Sequence, residues 1–280
     1  MPAAIGKTLR LAEFWREGQK SLLADISMPG ALGPMPGLDR PSEAVRQLAP
    51  LVEGLVVNPG IADSQVAAFS GKAGAAPLVR LDWTNAQRPA DFVLPPAQIH
   101  RVALGTAEDA LQLGACAAVT TLLLGYDEDF EARNVQSISF LARACDQISL
   151  PLFAEVRPVG PKVEPAKYDG AVQLGVSFMV EGGADAISIP LPGAKALALL
   201  LEFAPVPLFL QVDNAASLAN EDAGALIDAL NAGCAGIVLG SRALADPARA
   251  VQQARALLAQ VSNADQTAGL SPLSRTVGQA

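Results

Sequence analysis

Five charged residues sit inside segments that otherwise read as buried strands. They are Arg80 and Asp82 in PLVRLDW, Glu155 and Arg157 in LPLFAEVRP, and Asp213 at the end of PLFLQVD. A charge in an apolar strand is costly unless it is paired or reached by solvent. Their joint occurrence points to a polar pocket, and its purely structural counterpart is a ring of salt bridges. Two-residue spacing puts Arg80 and Asp82 on one strand face, and likewise Glu155 and Arg157. A fixed guanidinium can stabilise developing negative charge on an oxygen, the role expected of Arg157 and Arg80. A neighbouring carboxylate can move a proton, the role expected of Glu155 or Asp82.

The elements that must position these groups follow from periodicity. Buried strands read at 21–27, 54–60, 77–83, 116–125, 150–158, 184–190, 207–213 and 234–240, with helical segments between them. The clearest unit is a strand over 150–158, a Pro/Gly loop, a helix over 168–182 stopped by Gly182-Gly183, and a return strand ADAISIP. Eight such repeats, with no interior composition break and no Gly-rich nucleotide turn after an early strand, predict a (β/α)8 TIM barrel. An extra amphipathic helix over 8–20 is expected to plug its base. The barrel is expected to span 1–261 as one domain, with 262–280 a polar C-terminal tail. An excursion over 84–105 is too long and Pro-rich for a minimal βα loop.

In such a barrel the site lies at the C-terminal strand ends. That rule adds Asp25, Ser27, Asn58, Thr121, Ser188, Gln211 and the turn Gly240-Ser241-Arg242, whose N–H groups and guanidinium suit an anion. His100, the only histidine, reads as a loop or surface residue. Carboxylates and Asn58 could hold Mg²⁺ or Mn²⁺, but no spacing requires a metal and no cofactor is expected. A net charge of −8 without any Lys/Arg run argues against a nucleic-acid partner. Neither an apolar leader nor a stretch of membrane-spanning length is evident, so a cytoplasmic location and no membrane partner are expected. Cys116, Cys145 and Cys234 lack metal-ligand spacing and read as buried thiols.

Across residues 8–261 the chain resembles class I aldolases of the DeoC/DhnA type, which include archaeal-type fructose-bisphosphate aldolase and the autoinducer-2 phosphate thiolase. The resemblance rests on GALGPMPGLDRP, VVNPGIA, ALGTAEDALQLGACAAVTTLLLGYDEDFEARNV, LPLFAEVRPVGPKV, GVSFMVEGGADAISI and NAGCAGIVLGSRALADPARAV, in that order. It implies a barrel, a sugar-derived and usually phosphorylated substrate, and a homo-oligomer. The family's imine-forming lysine sits in a segment like GADIVKT, where this chain has GADAISI, so the position falls on Ser188. The family's Asp-His-Gly after the first strand reads Ser27-Met28-Pro29, with Asp25 two residues earlier. Its acid/base tyrosine corresponds to Arg157, and its phosphate-binding Gly-Gly corresponds to Asp213-Asn214. Gly240-Ser241-Arg242 retains the other half of that phosphate site.

A serine cannot form an imine. The expectation is therefore an aldolase-like carbon–carbon lyase or enolising enzyme working without one, with Arg157, Glu155, Asp82, Ser188 and Asp25 as catalytic candidates. Arg80, Ser27, Asp213, Asn214, Gly240, Ser241 and Arg242 are the substrate-binding candidates. The rivals are a silent barrel that binds a sugar or sugar acid or acts as a scaffold, and a metal-assisted lyase using Asp82, Glu155 and Asp213. An imine relocated to Lys162 or Lys167, in the loop after the fifth barrel strand, is a further alternative.

Overall fold

A computed structural model describes residues 2–71, 74–220 and 222–261; the expected tail at 262–280 lies outside them. Eight parallel strands close a barrel: β1 (Ser21–Asp25), β2 (Gly54–Val57), β3 (Ala76–Arg80), β6 (Ala117–Leu124), β7 (Leu152–Pro158), β8 (Ala186–Pro190), β9 (Leu208–Val212) and β10 (Gly236–Leu239), with β1 paired to both β2 and β10. Two further strands, β4 (Asp82–Thr84) and β5 (Arg101–Ala103), form an antiparallel hairpin outside the barrel. The strand expected over 77–83 therefore divides. Leu81 still donates to the Val119 carbonyl of β6, but its own carbonyl accepts from Leu104, which turns the chain out of the barrel after Arg80.

Side-chain alternation builds two tiers inside the barrel. The lower tier is apolar: Leu23, Val56, Leu78, Val119, Phe153, Ala186, Phe209 and Val238, all buried. Two residues further along each strand stand Asp25, Asn58, Arg80, Thr121, Glu155, Ser188, Gln211 and Gly240. Every strand thus changes from apolar to polar or glycine at the same height, where its interior face approaches the C-terminal mouth. The opposite faces of the strands pack against the surrounding helices in a second, larger apolar core.

The base is closed by the N-terminal segment, although its helix runs over Pro2–Leu11 and not over 8–20 as expected. The chain leaves helical geometry after Leu11, and Gly18 adopts φ 78° in the turn before β1. Phe14 is then free to insert under the apolar tier, 1% exposed and edge-on to Phe153 at 6.2 Å. Lys7 fastens the helix by ion pairs to Asp146 at 2.5 Å and Asp185 at 2.7 Å. Arg10 donates to the Ser149 carbonyl at 3.0 Å.

Among the described residues no helix is long and apolar enough to cross a membrane. Phe14→Ala should lower unfolding free energy by about 3–5 kcal/mol, because the rigid barrel base cannot collapse around the void. A urea midpoint unchanged from wild type would show that the plug carries no such weight.

Candidate active site

The carboxylate of Glu155 is the hub of the polar tier. Its Oε1 accepts from Arg157 Nε at 2.8 Å and from Gln211 Nε2, and lies 2.6 Å from Arg157 Nη2 in an ion pair. Its Oε2 accepts from Thr121 Oγ1 at 3.0 Å and forms an ion pair with Arg80 Nη2, also at 3.0 Å. Burial by itself would raise the Glu155 pKa, but the Arg157 and Arg80 charges and the Thr121 hydroxyl outweigh it and hold the carboxyl at about 2. Burial likewise opposes the charge on both arginines, and the carboxylates around them reverse that, so both stay firmly protonated.

Arg80 spreads its donors over three strands. Its Nη2 meets Asp25 Oδ2 at 2.7 Å, its Nε donates to Ser27 Oγ at 2.6 Å, and its Nη1 donates to Thr121 Oγ1 at 2.5 Å. Ser27 in turn donates through its backbone N–H and its hydroxyl to Asp25 Oδ1. Asp82, just beyond the end of β3, folds back over β6. Its Oδ2 accepts from Thr121 N at 2.6 Å and from Arg101 Nε at 2.9 Å, and its Oδ1 lies 3.4 Å from Arg80. On the other side of Glu155, Arg157 pairs with Asp213, whose side chain is 34% exposed at the rim.

The network therefore joins three guanidiniums (Arg80, Arg101, Arg157) to four carboxylates (Asp25, Asp82, Glu155, Asp213). Its formal excess is one negative charge.

Most of the sequence-derived candidates meet in this network. Ser188 lies beside it, 1% exposed and in register with Glu155. The turn after β10 behaves differently. Ser241 is buried and donates to the Asp25 carbonyl at 2.6 Å. Gly240 lies so close to Asp213 that a Cβ there would stand 2.0 Å from Asp213 Oδ1. The chain's own carboxylate thus fills the space that this glycine leaves. Asn214 caps its own turn through Ala216 N, and Arg242 donates to the Gln87 carbonyl at 3.1 Å; both are exposed and stand apart from the ion-pair network.

The excursion over 84–105 crosses the mouth as a strap. Trp83 Nε1 donates to the Gly30 carbonyl at 3.1 Å, and Arg88 Nε to that of Ala31 at 2.9 Å. The Arg88 guanidinium lies 5.4 Å from the Trp83 ring centroid and 5.2 Å from that of Phe92. Beneath the strap a cavity of about 60 Å³ remains, bordered by Arg80, Glu155, Arg157 and Gln87. That is room for a few waters. Arg101 and Gln87 had no signal in the sequence beyond lying in an overlong, Pro-rich connection, and Trp83 read only as the last residue of the third strand.

Lys162 pairs with Glu128 at 2.6 Å and Lys167 with Glu164 at 2.9 Å, all four residues exposed, so neither lysine is turned into the mouth. His100 is exposed on the strap. Burial pushes the thiol of Cys116 up to about 11 and those of Cys145 and Cys234 to about 12, which leaves all three protonated. Among the described residues no group of three or more His, Cys, Asp or Glu converges as a metal-ligand set.

No family model matches the chain. It is 25% identical to an uncharacterized aldolase of Saccharolobus solfataricus over 84% of this chain and 87% of that protein. It is 26% identical to the 2-amino-3,7-dideoxy-D-threo-hept-6-ulosonate synthase of Halobacterium salinarum over 84% of each. Over 51% of this chain and 52% of that protein, it is 29% identical to the 2-amino-4,5-dihydroxy-6-oxo-7-(phosphonooxy)heptanoate synthase of Streptomyces griseus. An archaeal fructose-1,6-bisphosphate aldolase, with its catalytic Lys bound to the carbinolamine intermediate, superposes at TM-score 0.71 with 22% identity, covering 91% of this chain and 99% of that one. The relatives support the resemblance to class I aldolases, and the solved structure shows the shared barrel.

Because the Glu155 pKa is depressed on folding, its stabilisation is complete above the ordinary carboxylate value of 4.5 and is lost as pH falls towards about 2. Glu155→Gln should remove that acid limb. It should also cost about 3–5 kcal/mol at pH 7, since two buried guanidiniums lose their shared counter-ion. Circular-dichroism melts from pH 7 down to 2 would read both effects, and an unchanged acid profile in the variant would refute the assignment.

Proposed function

We propose that this protein is an aldolase-type lyase that cleaves or forms a carbon–carbon bond, or enolises a carbonyl, in a sugar-derived substrate, using guanidinium charge in place of a lysine imine. The observation that carries the reading is the Arg80–Glu155–Arg157–Asp213 array at the C-terminal mouth of an aldolase-like barrel. Supporting it are the relatives named as aldolases and synthases, the ion pairs that hold Lys162 and Lys167 on the surface, and a mouth cavity lined by no lysine among the described residues. Ser188 beside Glu155 fits the resemblance, which puts the imine-forming position there.

In the cleavage direction a base removes the proton of the β-hydroxyl. The bond between the α and β carbons breaks to release an aldehyde. The electron pair of that bond passes into the remaining carbonyl, giving an enolate whose oxygen lies against Arg157. Returning the proton to the α carbon completes the exchange. The guanidinium does for the enolate oxygen what an iminium would otherwise do, by fixed charge and not by a covalent bond.

Glu155 and Asp82 are poor candidates for the base, since each is buried and every carboxylate oxygen already accepts a hydrogen bond or ion pair. Asp213 is more open: Arg157 reaches both of its oxygens, but its side chain is 34% exposed and has no second ion-pair partner among the described residues, so the proton transfer falls to it. Glu155 then serves to orient both arginines. The relatives' names favour a phosphorylated sugar-type substrate. With the Asp213 carboxylate packed on Gly240, its phosphate is not expected at the Gly240–Arg242 turn. A sugar-sized molecule also exceeds the mouth cavity, so entry requires the strap to lift.

Borohydride should neither inactivate the protein nor trap an adduct in the presence of keto-sugars or their phosphates. Ser188→Lys should form a trappable imine without fast cleavage. A wild-type adduct mapped by mass spectrometry to Lys162 or Lys167 would overturn the proposal.

Arg157→Ala should lower retro-aldol turnover by on the order of 10² or more, mainly in kcat. Asp213→Asn should lower kcat while leaving the melting profile near that of wild type. Full turnover in Asp213→Asn would remove it from the mechanism.

A further inference from the structure

A second cavity, of about 630 Å³, opens between the strap and the first half of the helix Glu128–Gln147, outside the barrel mouth. That volume is in the range of small-molecule sites, about ten times the space under the strap at the mouth.

The helix explains why this wall is unusual. Its buried positions Phe130, Asn134, Ile138, Ala142 and Cys145 trace one stripe, the face that packs on the barrel. Four of the five are apolar. Asn134 is the exception, 3% exposed, and its Nδ2 donates back to the Phe130 carbonyl at 2.7 Å. Its Oδ1 is buried and has no hydrogen-bond partner. A buried acceptor in that condition is costly unless something donates to it.

Around Asn134 the cavity wall carries Arg133, Ser137 and, from β5, Arg101. Arg101 is held in place by Asp82 through Nε, by Ser137 Oγ at 3.2 Å and by Thr120 Oγ1 at 2.5 Å. Asp127 is the one carboxylate in the wall, and its Oδ1 is occupied in capping the helix through Phe130 N. Asp82 neutralises Arg101, so Arg133, exposed and in no ion pair among the described residues, is the cation this wall offers a ligand. Tyr126 and Phe130, edge to face at 5.1 Å, add an aromatic surface.

We propose that this cavity binds a small hydroxylated anion, a sugar acid or a sugar phosphate, with Arg133 meeting the anionic group beside the Arg101–Asp82 pair. Its hydroxyls supply the donors that the Asn134 wall lacks, and its carbon skeleton lies on Tyr126. Planar guanidiniums are suited to carboxylate and phosphate oxygens, and Arg101 is already oriented by its three protein partners. The cavity lies outside the barrel mouth and stands whether or not the lyase reading holds.

The test is an NMR titration of the full chain with 6-phosphogluconate, and separately with gluconate and with inorganic phosphate. Saturable amide shifts are expected at Arg101, Asn134 and Ser137 with 6-phosphogluconate. The two simpler probes tell which anionic group is anchored. Arg133 is exposed, so Arg133→Ala and Arg133→Glu should fold normally while weakening binding by about tenfold or more. Arg242→Ala should leave it unchanged. The absence of saturable shifts at millimolar ligand, shifts gathered on Gly240–Arg242, or affinity that survives Arg133→Glu would each overturn the proposal.

Discussion

A carboxylate buried between two guanidiniums is the constraint on which the upper half of this barrel depends. Glu155 could not remain ionised in that position without Arg80 and Arg157, and it completes the neutralisation that Asp25 begins for Arg80 and Asp213 for Arg157. The three side chains come from β3 and β7, which are not adjacent, with β6 between them contributing Thr121. Correct strand order is therefore a condition for neutralising the interior charge. The geometry that results is rigid, because moving any one donor would leave a buried charge exposed to a low dielectric.

Rigidity of this kind has a chemical corollary. Carboxylates that accept hydrogen bonds at every oxygen act as templates that aim other groups, and their basicity is largely withdrawn. Around Glu155 the chain has fixed the direction of two guanidiniums and left the less buried Asp213 at the rim. The strap then determines how much room remains above them. Its anchors to the carbonyls of Gly30 and Ala31 are few and near the surface, whereas the floor beneath is cross-linked through five strands.

Much of this was legible in the residues. The switch from apolar to polar two positions further on, as in Leu78 to Arg80 or Phe153 to Glu155, is a period-two signal that sets both the interior face and the end where the site lies. The helix over 168–182 and its Gly stop could be read because capping chemistry is local. What escaped reading depends on contacts distant in sequence. Asp82 looked like a continuation of β3 by alternation, but Leu104 captures the Leu81 carbonyl and redirects the chain. Arg101 had no local mark of its partnership with Asp82. Trp15 and Phe14 fitted a helical face, yet the barrel base needed Phe14 on a turn. Asn214 and Arg242 sat at a strand end and in the turn after another, as the site rule asks, but the turns that hold them point their side chains elsewhere.

The plug at the base also imposes an order of assembly on the growing chain. Lys7 finds its partners at Asp146 and Asp185, Arg10 at Ser149, and Phe14 at Phe153. Made before these partners, the segment has nothing to dock against until most of the barrel has followed it. β1, next to emerge, waits longer still for β10 to close the ring. A segment made ahead of the barrel is accordingly among the last to reach its place, and it locks a structure that its own absence would have left open at the base.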